Sequence, residues 1–196
     1  LHISGSLAFE LGPMHQLQVD MGVSQQFLDT NASSLNLSNK FSWEFASYTF
    51  GGQNLNASVG LGGPYFSDTN GDGRITEADE RGTDFIGFVM EEFDFGVALF
   101  QPTTYSPIYQ LTTLIFQGAG YEALFFSAKA TADKVGFVGG GDTFQLEANN
   151  LEFGLNISNL PTGTILPFVD FEASFPGGGG TPVGFPVPTG AGNIYL

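Results

Sequence analysis

The amino-acid pattern predicts an all-β protein, and three observations carry that expectation. Apolar residues alternate with small or polar ones at period two over most of the chain. The breaks between these runs are rich in Gly, Asn, Asp and Pro. Charged residues make up only 13% of the sequence, so the wet surface is built from Asn, Thr, Ser and Gln. Helices carry Lys and Glu on their outer faces, and no amphipathic helix of full length is visible.

The first strand is the clearest. From Leu1 to Leu11 the odd positions are apolar, Gly5 apart, and the even ones are small, polar or charged. A strand sends successive side chains to opposite faces, so the apolar set is expected to be buried and the other wet. The pattern recurs at Leu17-Val19-Met21-Val23, Phe41-Trp43-Phe45, Leu55-Ala57-Val59-Leu61, Ile86-Phe88-Met90 and Phe93-Phe95-Val97-Leu99. It continues at Leu124-Phe126-Ala128, Phe144-Leu146-Ala148, Phe153-Leu155-Ile157 and Val169-Phe171-Ala173-Phe175. Ser127 to Lys134 suits a helix or a strand, and residues 24–40 read as a polar surface loop. The 21 Phe and 28 Gly are expected to fill a core. Strand starts are too irregular for a short repeat, which leaves an elongated, solenoid-like sheet stack and a β-sandwich both open.

A chain of 196 residues makes one large domain or two small ones. The reading assigns 1–175 to an all-β module. Residues 176–196, with Gly177–Gly180, Pro182, Pro186 and Pro188, form a Gly/Pro-rich segment ending in a strand that pairs with the next unit. The chain begins at Leu1 without an initiator Met, so a longer parent is expected.

Charge narrows the function classes. Twenty acidic residues against five basic ones give a net charge of −15. Such a chain repels phosphate backbones and anionic lipid surfaces, so neither nucleic acid nor membrane insertion is expected. No run of about 18 apolar residues exists to span a bilayer as a helix. An acidic chain draws cations, and outside cells calcium is the abundant divalent one. There are no cysteines, and a domain of this size needs none.

One stretch has ligand spacing. In Asp68-Thr69-Asn70-Gly71-Asp72-Gly73-Arg74-Ile75-Thr76-Glu77-Ala78-Asp79, oxygen side chains fall at positions one, three and five: Asp68, Asn70 and Asp72. Gly73 at position six allows a sharp turn. The Arg74 carbonyl follows at seven, Ile75 points inward at eight, Thr76 stands at nine and Asp79 closes at twelve. A hard cation takes six to eight oxygens, so Ca²⁺ is the expected ion. The twelve residues resemble the EF-hand calcium loop, and Asp at position twelve is similar to the single loops of dockerins and bacterial surface modules. No helix enters, because Gly62-Gly63-Pro64 forbids one, and no second loop follows.

A looser resemblance covers about half the chain. Tyr121 to Ala130, Val135 to Gly139 and Phe144 to Leu151 look like repeat units of very large bacterial surface proteins, as do the ends Asn193–Leu196 and Leu1–Ser6. The resemblance implies a tandem, non-catalytic building unit of an extracellular fibre, adhesin or matrix. Its partners would be copies of itself or neighbouring units, head to tail.

Enzyme readings find little support. Only His2 and His15 exist, and both read as surface residues, His15 in a turn. Glu91, Glu92 and Asp94 could form a glycosidase carboxylate pair. Strict alternation would put Glu92 and Asp94 on one face and Glu91, Phe93 and Phe95 on the other. Two alternatives stay open. One is a carbohydrate-binding β-sandwich with Trp43 in an aromatic platform for glycans. The other is an outer-membrane β-barrel. Sequons occur at Asn31, Asn36, Asn56 and Asn156.

Overall fold

The computed structural model describes residues 1–22, 24–31, 38–76, 79–103, 123–139, 144–159 and 167–196. The chain is mostly β, as its alternation predicts. Five long strands form the body: β1 (His2–Asp20), β2 (Lys40–Leu61), β5 (Ile86–Pro102), β6 (Phe125–Gly139) and β7 (Phe144–Ser158). With the short β8 (Phe168–Asp170) they make one antiparallel sheet of order β7-β6-β5-β2-β1-β8. Among the described residues the sheet does not close into a barrel. Two small ribbons accompany it: β3 (Phe66–Ser67) with β4 (Glu80–Arg81), and β9 (Pro186–Pro188) with β10 (Asn193–Tyr195).

At the β8 end the apolar residues face inward. Leu17, Val19, Trp43, Phe45, Phe100, Phe125 and Val169 form the main core, and Phe185 and Val187 join it from the C-terminal segment. Gln16, Gln18, Ser42 and Glu44 face outward there. β7 and β8 are drawn together by one side chain. The Asn156 amide donates to the Val169 carbonyl at 2.7 Å and accepts the Val169 N–H at 3.4 Å.

Toward the Leu1 end the faces exchange character. Glu10, Thr49, Ala98, Ser127 and Asn156 line up across the inner face, and so do His2, Ser58, Val89, Gly136 and Glu147. The outer face carries Phe9, Phe50, Val97, Ala128 and Leu155 in one row and Leu7, Gly52, Phe95, Ala130 and Phe153 in the next. Ile3, Ala57, Met90, Val135 and Ala148 form a further row. The apolar set of Leu1–Leu11, expected to be buried, is therefore outside: Ile3 is 69% exposed and Phe9 67%. The physical reason is where the rest of the chain packs. Both small ribbons and the loop between β3 and β4 lie on the inner face, so among the described residues only that face is covered.

A transverse crease separates these outer rows. Ladder pairing shifts or lapses at Gly5 on β1, Asn54 on β2, Glu92 on β5 and Asp133 on β6. Asn54, Glu92 and, on β7, Asn150 adopt left-handed backbone angles. Each is an extra residue that reverses the alternation. The outward set is thus Phe88 and Met90 before the crease on β5, then Phe93 and Phe95 beyond it. Left-handed conformation costs a non-glycine residue about 1 kcal/mol, and Asn tolerates it best. Glu92 is the exception in type, and its N–H is held by the Asn56 side-chain oxygen at 3.1 Å.

Two segments differ from the sequence expectation, and a third is placed on the sheet. Residues 24–40 include a short helix, α1 (Gln25–Asn31), tied by Gln25 donating to Asp29 and accepting the Asn39 N–H. The run from Val169 to Phe175 is not a continuous strand. Asp170 ends β8 by capping the single turn α2 (Phe171–Ser174), its carboxylate accepting the Ala173 N–H. Residues 176–196 do not extend away from the sheet. β10 pairs with β9, and Leu196 and Phe185 exchange backbone hydrogen bonds. The ribbon lies directly on the paired glycines Gly51 and Gly96. A Cβ on Gly51 would collide with the Pro188 carbonyl, and one on Gly96 would crowd Val187 at 3.2 Å.

Candidate functional site

The Asp68–Asp79 loop sits between β3 and β4, over the inner face near the Leu1 end. Its first half is exposed and self-bonded. The Asp68 carboxylate accepts the N–H of Gly71 at 2.7 Å and of Gly73 at 2.8 Å. Asn70 Oδ1 accepts the Asp72 N–H, and Asp72 Oδ1 accepts the Arg74 N–H. Gly71 and Gly73 both take left-handed angles, φ 74° and 77°, which lets the chain reverse twice in four residues. Asp68, Asn70 and Asp72 are thereby brought into one turn.

Asp79 does something else. It is only 6% exposed. Its Oδ1 accepts from the backbone and hydroxyl of Thr69, and its Oδ2 from the backbone and hydroxyl of Thr76. A carboxylate has about four lone-pair sites, and four donors fill them. The backbone N–H of Thr76, with that of Thr69 and both hydroxyls, holds the Asp79 carboxyl below its ordinary value of 3.8, against the opposing effect of burial. In this arrangement Asp79 clips the two ends of the loop together.

The loop is seated on the sheet by Ile75 and by groups outside the motif. Ile75 points inward, as its position predicts, into a small core with Tyr65, Phe66, Phe85 and Val89. Asn56, buried in β2, donates to the Ile75 carbonyl at 3.3 Å. Arg81, two residues past the loop, donates to the carbonyls of Thr76 and Asp79. Its other nitrogens reach Glu91 Oε2 on β5 at 2.8 Å. Glu91 also accepts from the Tyr65 hydroxyl at 2.8 Å, and Lys134 stands 3.7 Å away. Burial, then the Glu91 hydrogen bond, raises the Tyr65 pKa. For Lys134 burial pulls downward, but hydrogen bonds to Glu147 and Tyr65 outweigh it and hold the ammonium charged.

Apart from Ile75, these anchors lie outside the twelve-residue motif. One sequence signal bears on them. Basic residues are scarce in so acidic a chain, and Lys40, Arg81, Lys129 and Lys134 each pair with a carboxylate.

For a hard cation, Asp68, Asn70 and Asp72 supply suitable oxygens, and Asp68 keeps lone pairs beyond those its two N–H donors use. Asp79 offers none while clipped. Among the described residues no three acidic or histidine side chains converge as a metal-ligating group. The oxygens that the loop could offer a hard cation are two carboxylates, one amide and backbone carbonyls such as that of Arg74. So few charges place such a site at the weak end of calcium loops.

The other candidate residues are also placed. Glu91 and Asp94 both turn inward because Glu92 is an extra residue at the crease. Strict alternation, which separates them, does not hold there. Glu91 is held by Arg81 and Tyr65, and Asp94 accepts the Asn54 N–H at 2.7 Å. Glu92 lines a cleft of about 520 Å³ together with Ser4, Ser6, Arg74 and Thr76. Trp43 is 2% exposed and stacked on Phe41, so it forms no open platform. His15 is not in a turn. It lies within β1 against Phe175 and Phe185, and burial lowers its pKa. His2 contacts Ser4 and the Phe66 ring. Asn56 and Asn156, two of the sequon residues, have their side chains engaged inside the fold, and the side chains of Asn31 and Asn36 lie outside the described residues.

Comparison with protein-family models, curated proteins and solved structures finds no match for this chain. Among the described residues no helix is long and apolar enough to cross a membrane.

Proposed function

We propose that this chain is a non-catalytic structural module, stabilised by Ca²⁺ at the Asp68–Asp79 loop, that serves as a building unit of an extracellular or cell-surface fibre, adhesin or matrix. The observation that carries the reading is the seating of the loop. Ile75, Asn56 and Arg81 connect it to β2 and β5, so an ion that orders the exposed turn would stiffen the sheet beneath it. The cleft beside the loop presents a single carboxylate, Glu92, and no histidine among its described lining residues, which gives it no acid–base pair. A buried Trp43 counts against the glycan-platform alternative.

Calorimetry with calcium should show binding in the millimolar range expected of a loop with few ligand charges. Calcium at ten times Kd should stabilise the fold by about 1.4 kcal/mol, because it binds only the folded loop. Asp72→Ala should remove that increment, and Glu80→Ala should not. Asp79→Ala should weaken the fold in chelator as well as in calcium, since its clip needs no ion. Absence of calcium heat together with a melt unchanged by chelator would overturn the calcium reading.

A further inference from the structure

We infer that the outer face of the five long strands is the assembly surface, and that its occupant is the same face of a second copy of this chain. The inference rests on the building-unit reading and names the surface. Phe9, Leu11, Phe88, Leu146 and Phe153 are each at least 56% exposed. They belong to apolar rows running across β1, β2, β5, β6 and β7 with no charged member. A contiguous apolar face of this kind exceeds what monomeric proteins leave in water.

Three considerations select a second copy. The first is area. Five strands about 4.8 Å apart, with five rows about 6.7 Å apart, cover roughly 800 Å². That is about the share each partner contributes to a stable interface. The second is charge. Two chains of net charge −15 repel each other unless they meet through an uncharged surface, and these rows supply one. Two such faces stacked about 10 Å apart complete a sandwich whose second layer the described residues do not provide. The third is the sheet's edges. A bilayer would also accept apolar rows, but hydrocarbon does not tolerate open strand edges. Among the described residues β7 has a ladder partner only in β6, and His2–Gln16 of β1 only in β2. Water and the rim of a dimer can satisfy such edges.

Sedimentation equilibrium of the full chain, with calcium and with chelator, tests the inference. The wild type should reach twice the 20.8 kDa chain mass at micromolar concentration. Phe9→Glu with Phe153→Glu should weaken the dimer at least about 100-fold, on the scale of interface hot spots. Circular dichroism and the monomer melt should stay at wild-type values, because both side chains already face water. A wild type that remains monomeric at hundreds of micromolar overturns the inference, and its calcium-dependent melt then reports separately on the calcium reading. Assembly that survives the double variant also overturns it, while leaving a building unit joined by its strand edges. Flotation of the wild type with neutral phosphatidylcholine vesicles, lost in the double variant, makes the bilayer the occupant and overturns it as well.

Discussion

Phe100 and Phe9 are chemically identical residues on long strands of one sheet, yet Phe100 is fully buried and Phe9 is 67% exposed. The difference lies in which face each meets, and in where on the sheet. At the β8 end, α2 and the C-terminal ribbon lie on the inner face and meet apolar side chains. At the Leu1 end the Asp68–Asp79 loop lies on the same inner face, which there carries Asn56, Ser58, Glu91 and Lys134 beside the small core of Ile75 and Val89. The strands continue through both regions, but the covering layer changes chemistry, and the apolar side chains are left on the bare face. Burial in this protein is thus set by the covering layer as much as by hydrophobicity.

The sharpest way to test this contrast is a pair of truncations. Phe100→Ala should cost about 3–5 kcal/mol in urea denaturation, for lost transfer energy and a residual cavity. Phe9→Ala, measured on the monomer, should stay within about 0.5 kcal/mol. Equal losses would mean that the outer face is covered within the monomer. Next in size is Arg81→Met, which strips Glu91 of its closest cation and two loop carbonyls of their donor. About 3 kcal/mol should be lost, with calcium affinity falling alongside stability. Asn156→Ala should cost about 2 kcal/mol, since the Val169 N–H and carbonyl lose their partner where β7 meets β8. Hydrogen exchange at Val169 should rise in that variant, with protection in the β3–β4 loop unchanged.

The smallest effect is on pH. A hydrogen bond from Lys40, then one from the Ala173 amide, lowers the Asp170 pKa, and amide bonds lower that of Asp79. Groups with depressed folded values contribute stability that is present above the ordinary carboxylate value of 3.8 and lost as pH falls through the folded value. The acid limb of a melting profile should therefore start below about pH 4, and Asp170→Asn should flatten it. Lys40, raised chiefly by its hydrogen bond to Asp170, works in the opposite sense. Its contribution is present below 10.5 and lost as pH rises beyond it.

The β class was legible because alternation survives on either side of the crease. The strand count was not. Phe144-Leu146-Ala148 and Phe153-Leu155-Ile157 have opposite parity and read as separate strands. The structure joins them through Asn149 and left-handed Asn150 into β7. The side of burial was also illegible, because alternation yields two sets of side chains without saying which one the covering layer meets. At the loop, the turn at Gly73 that gathers Asp68, Asn70 and Asp72, and the inward Ile75, could be read from spacing alone. The clip made by Asp79 could not, since it depends on where the Thr69 and Thr76 amides point. Nor could the Arg81–Glu91 anchor, which exists because the extra residue at Glu92 turns Glu91 inward.

That extra residue, with its counterparts at Asn54 and Asn150, makes the sheet unusually intolerant of single-residue insertions and deletions at mid-strand. Removing Asn150 would restore unbroken alternation to β7. It would also roll one end of the strand by half a turn relative to the other, aiming either Leu146 or Leu151, Phe153 and Leu155 inward. Only length changes made in several neighbouring strands together would preserve the match between faces. Any lineage of such sheets is therefore expected to vary freely in its connecting segments while holding the distances between crease and strand ends fixed.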